Sequence, residues 1–63
     1  MLALDEDGTL AEAHLVLGLV YIEQRNPEGA LEELQFAITA PGSPDWVQAE
    51  ARWLIRAHNL QSD

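Results

Sequence analysis

Residues 17–37 read LGLVYIEQRNPEGALEELQFA, and the Asn26-Pro27 pair inside that run decides the fold. Asn is a good helix N-cap and Pro is tolerated at the first helical position, so the dipeptide that ends one helix opens the next. Upstream, Gly8-Thr9-Leu10-Ala11-Glu12 announces the first helix. Thr9 caps the open backbone N–H groups, and Glu12, three residues on, reaches back to complete a capping box. This helix is expected to end near Arg25. The second is expected to stop at Ala40, before Pro41-Gly42-Ser43-Pro44. There Ser43 is expected to cap, and Pro44 to open, a third helix running to about Leu60. Nothing reads as strand. The chain divides into an acidic segment at 1–8, a helix pair at 9–42, and a third helix with its tail at 43–63.

The 3.6-residue period assigns faces to these helices. In the second, Ala30, Leu31, Leu34, Ala37 and Ile38 make one apolar stripe, while Glu28, Glu32, Gln35 and Thr39 lie elsewhere. Phe36 points away from that stripe and must meet the third helix or a partner. On the first helix Glu12 and Glu23 form a polar sliver in a largely apolar circumference, so this helix needs cover on more than one side. The third helix carries two apolar stripes, Trp46, Ala49, Trp53, Ala57 and Leu60 on one side and Val47, Ala51, Leu54 and Ile55 on the other. One can close the local core, which leaves the other asking for a neighbour.

Composition excludes several classes of function. Eleven carboxylates stand against three arginines and no lysine, for a net charge of −8. Three scattered arginines cannot form the basic stripe that nucleic acid requires. With no Cys there is neither a disulfide nor a thiolate zinc site. The longest apolar stretch, Leu15 to Ile22, is too short to span a bilayer, and the N-terminus lacks the pattern of a signal peptide. A soluble chain without membrane insertion is expected, cytoplasmic by default.

Leu17, Gly18, Tyr21, Ala30, Leu34 and Ala37 resemble, in type and spacing, the signature of the tetratricopeptide repeat (TPR) family, whose unit is a 34-residue helix pair. In such a unit Gly18 and Ala30 let the paired helices approach, Tyr21 and Leu34 fill the groove between them, and Ala37 admits the next helix. His14 departs from the pattern, standing where the family usually has a large apolar residue. Gly42 departs too, standing where a helix-stopping Pro is usual. The chain also echoes itself: Ala3-Leu4 and Gly8-Thr9 recur as Ala37-Ile38 and Gly42-Ser43, and Ala11-Glu12-Ala13 recurs as Ala49-Glu50-Ala51. The resemblance implies an all-α, three-helix, right-handed superhelical unit, in which the third helix is a cap or the start of a following repeat.

The family's function lies on the concave surface lined by first helices, so the resemblance implies a non-catalytic protein–protein interaction module. Its lining here would be Glu12, Leu15, Val16, Leu19, Ile22 and Glu23. An apolar groove edged by carboxylates suits a protein or peptide partner that is apolar and carries basic residues. The family's carboxylate clamp is excluded, because Leu15 and Leu19 stand at the corresponding places and Lys is absent. The alternatives are a homo-oligomer, paired through Val47, Ala51, Leu54 and Ile55 against the first helix, or a segment of a longer TPR scaffold.

Sites with chemistry are not expected. Asp5-Glu6-Asp7-Gly8 looks like part of a calcium loop, but the EF-hand pattern would need ligands at Ala3 and His14. His14 and His58 lie on different helices without metal-ligand spacing. Glu28, Glu32 and Glu33 read as a solvated face without a pocket for acid–base work. Trp46 and Trp53, seven residues apart, read as core or interface anchors rather than a stacking site. No nucleophile has an activating partner, so no enzyme, cofactor or metal is expected.

Overall fold

A computed structural model describes residues 9–60, except for the side chain of Thr9. Among these residues the chain is all-helical: α1 spans Thr9–Glu23, α2 Pro27–Thr39 and α3 Asp45–Ala57. α1 and α2 form an extensively packed pair, and α3 lies mainly on α2 with a light contact to α1. The expected capping box at Thr9 lies outside the described residues. So do the acidic segment at 1–8, with its calcium-like turn, and the early half of the echo at Ala3.

The first turn is built by two overlapping caps. Arg25 takes a left-handed backbone conformation, φ 61°, which lets its N–H reach the Ile22 carbonyl at 3.0 Å and the Asn26 N–H reach Tyr21 at 2.9 Å. These are the paired bonds of a Schellman motif, and they close α1. Asn26 then turns to the next helix, its Oδ1 accepting from the Gly29 N–H at 3.1 Å, with Pro27 in the first turn. One residue finishes α1 and starts α2.

At the second turn Ser43 has a different role from the one expected. The helix N-cap is Pro44, which has no side-chain capping bond, and α3 begins at Asp45. Ser43 Oγ donates instead to the Ala37 carbonyl at 2.6 Å. The reason is Pro41: in a continuing helix the N–H of residue 41 would satisfy that carbonyl, and proline has none. Pro41 and Gly42 occupy the central positions of a tight turn closed by Ser43 N–H to Ala40 O at 3.1 Å. Gly42, at φ 75°, supplies the positive φ that a type II turn needs. Gln48 Nε2 reaches back to the Ser43 carbonyl at 2.9 Å and tethers the start of α3.

α3 ends at Ala57, earlier than Leu60, in a second Schellman motif. Asn59, at φ 57°, donates to Arg56 O at 3.2 Å, and Leu60 donates to Ile55 O at 2.8 Å. That turn folds the Leu60 side chain back into the core. The rest of the core is Ala11 and Leu15 from α1, Ala30, Leu31, Leu34 and Ala37 from α2, and Val47, Ala51 and Leu54 from α3. Among the described residues it contains no buried polar side chain.

Close approach of α1 to α2 depends on Gly18. A Cβ there would lie 2.5 Å from Leu34 Cδ2 and 2.7 Å from its Cγ, and Leu34 is fully buried. Beside this contact His14 Nδ1 meets Glu33 Oε1 at 2.6 Å and stacks its ring on Phe36, with centroids 4.9 Å apart and planes 18° from parallel. Phe36 thus meets α1 through His14, while about half of its surface stays exposed. Glu33 is half-buried in this cluster, a correction to its reading as part of a solvated face.

Candidate functional site

Side chains left outside the core define the surface available for recognition. On α1 the core takes Ala11, Leu15 and Gly18, with Tyr21 and Ile22 half-buried beside them. The opposite side presents Ala13, Val16, Leu17 and Val20, all exposed, with Glu12 and Glu23 along one edge. Leu15 is only 5% exposed and packs in the core, so it offers a partner little more than the floor of a groove, where a lining residue was expected. Of the other expected lining residues, Glu12, Val16, Leu19 and Glu23 are exposed and Ile22 is half-buried.

Leu17 also departs from its expected role. It is 43% exposed, whereas Gly18, Ala30, Leu34 and Ala37 are buried and Tyr21 is half-buried. Leu17 points out of the helix pair, to the side where no described element lies.

α3 presents the stripe opposite to the expected oligomer face. Val47, Ala51 and Leu54 are buried and Ile55 is half-buried against the core, so these residues hold α3 to its own chain. The exposed stripe is Trp46, Ala49, Trp53 and Ala57, with Trp46 at 55% and Trp53 at 60% exposure. Trp46 joins Glu12, Ala13, Leu15 and Val16 in lining an open groove between α1 and α3.

The internal echo explains which stripe turns inward. Ala51, Leu54 and Ile55 of α3 stand at the positions of Ala13, Val16 and Leu17 of α1, and Ala49 and Trp53 at those of Ala11 and Leu15. α1 buries its second set and exposes its first, whereas α3 buries its first and exposes its second. Each helix therefore lacks the cover that the other has. The Ala11/Ala49 echo carried this information in the sequence, since α3 follows α2 in the chain and α1 precedes it. Val20, missed by sequence reasoning, belongs to the α1 face, and the Trp pair, expected to be core or interface anchors, lies exposed on the α3 face.

The chemistry of the site is apolar contact with charged borders. Among the described residues no group of three or more His, Asp or Glu side chains could hold a metal ion. The His14–Glu33 pair has the partners of an acid–base dyad, but it is capped by Phe36. Arg52 and Arg56 are exposed beside the Trp stripe and make no ion pair with any described residue. No described helix is long and apolar enough to cross a membrane. No family model, curated protein or solved structure matches the chain.

Proposed function

We propose that this chain is a non-catalytic protein-docking module of TPR type, which recognises a partner segment through the outer side of α1. The observation that supports it is the placement of Val16 and Leu19 outside the core, between Glu12 and Glu23, with Val16 sharing a groove with Trp46. Apolar surface of this kind on an otherwise acidic chain marks an interaction site. Burial of these side chains supplies affinity, and the two carboxylates select for a segment with Arg or Lys next to its apolar residues. The partner is thus an apolar segment with a basic border.

Titrating the protein with amphipathic peptides rich in Leu and Arg, followed by amide chemical shifts, tests this reading. Shifts should cluster on Glu12, Val16, Leu19, Glu23 and Trp46. Shifts confined to Glu28, Glu32 and Gln35 on the outside of α2 would sink it. Leu19→Lys should weaken peptide binding about tenfold or more while leaving the helical circular dichroism unchanged.

A further inference from the structure

We infer that the outer face of α1 is covered by the exposed face of α3 from a second copy of this chain, with the two helices antiparallel. The inference rests on the docking reading and names its partner. A segment that suits α1 must be apolar with a basic border. α3 meets that description, since Trp46, Ala49, Trp53 and Ala57 are flanked by Arg52 and Arg56. These are two of the three basic side chains in the chain apart from its histidines.

Charge decides the orientation. At roughly 100° per residue, Glu12 and Glu23 line one edge of the α1 face, and Asp45, Arg52 and Arg56 line the corresponding edge of the α3 face. Two right-handed helices packed face to face in parallel set corresponding edges on opposite sides. That arrangement would bring Glu12 and Glu23 to the edge of α3 that carries Glu50. The antiparallel arrangement brings the corresponding edges together and sets Arg52 and Arg56 against Glu12.

Side-chain size agrees with the register that this implies. When Glu12 stands midway between Arg52 and Arg56, Trp53 lies over Ala13, Ala49 over Leu17 and Trp46 over Val20. The large indole of Trp53 meets a small residue, and the large Leu17 meets an alanine, the alternation that lets facing layers interdigitate. Asp45 comes level with Tyr21, about half a helical turn from Glu23 along the same edge, the one like-charged approach in this arrangement. Each copy carries a net charge of −8, which opposes association at low salt. At physiological ionic strength that long-range repulsion is screened over about 8 Å, whereas the arginine pairs act at contact.

The test is sedimentation across micromolar to millimolar concentration at physiological salt, combined with a charge exchange. The unmodified chain should associate as its concentration rises. R52E/R56E and E12R should each raise the dissociation constant about tenfold or more, and an equimolar mixture of the two should regain association, which also proves both are folded. E23R, which removes the approach to Asp45, should tighten the complex. A chain that stays monomeric throughout, or a mixture no tighter than its components, overturns the inference, as does E23R weakening association as much as E12R. The peptide titration on α1 separates that failure from failure of the docking reading, because a monomer whose α1 still takes the peptides loses only the second copy as its partner.

Discussion

Gly18 and Arg25 are positions where the fold favours glycine for two different physical reasons. G18A gains about 1 kcal/mol of helix propensity but drives a Cβ to 2.5 Å from Leu34 Cδ2. Leu34 is fully buried among Ala30, Ala37 and Val47 and has nowhere to move, so overpacking of about 1–3 kcal/mol outweighs the gain. The expected outcome is a lower melting temperature. R25G is expected to do the opposite. Arg25 holds φ 61°, a conformation that costs a side-chain-bearing residue about 1–2 kcal/mol, and its exposed side chain makes no ion pair with the described residues. Part of that cost returns as lost entropy of the unfolded chain, which leaves a stabilisation of about 0.5–1 kcal/mol, or some 4 °C in a thermal melt. If both changes lowered the melting temperature, the Schellman closure of α1 would not be under the strain argued here.

At the scale of elements, the faces of α3 give the sharpest contrast. Leu54 is buried against α2, whereas Trp53, its neighbour in sequence, is mostly exposed. Leu54→Ala is expected to cost about 2–4 kcal/mol, and Trp53→Ala to change the stability of the monomer by no more than about 0.5 kcal/mol. Urea melts of both variants at low protein concentration would reveal a reversed α3, in which the larger loss falls on Trp53. Existence and order of the three helices were legible in the sequence, because Asn26-Pro27 and the Pro41-to-Pro44 run are local signals that act through their own backbone groups. Ser43 was not, because its partner depends on the N–H missing at Pro41, and two local signals competed for one hydroxyl. The inward stripe of α3 was not legible from a helical wheel, which shows two apolar sides without saying which one α2 covers; only the echo between α1 and α3 separates them. For the same reason Leu15 read as surface: it shares a side of α1 with residues that stay exposed, and only packing separates them.

For the whole molecule, charge is the main force acting against compactness. The net charge is −8, and Glu12, Glu23, Glu28, Glu32 and Glu50 are exposed without an ion pair to any described residue. A small core rich in alanine has little stability with which to oppose that repulsion. Salt should therefore stabilise the monomer. The screening length falls from about 30 Å at 0.01 M to about 8 Å at 0.15 M, so most of the gain should come within that range. A stabilisation of order 1 kcal/mol corresponds to about 4–8 °C at this chain length. Self-association would add its own stabilisation by mass action, so the melts belong at the lowest workable concentration, repeated with R52E/R56E to remove the proposed contact between copies. Screening acts whichever monovalent salt is used, and Glu32→Gln, which removes one unpaired carboxylate from the outside of α2, should reproduce a few tenths of a kcal/mol of the effect at low salt and almost none at high salt. A melting temperature that stays flat between those two ionic strengths, in the parent chain and the variant alike, would show that the carboxylates lie too far apart to strain the fold, and would move the cause of their excess from stability to partner choice.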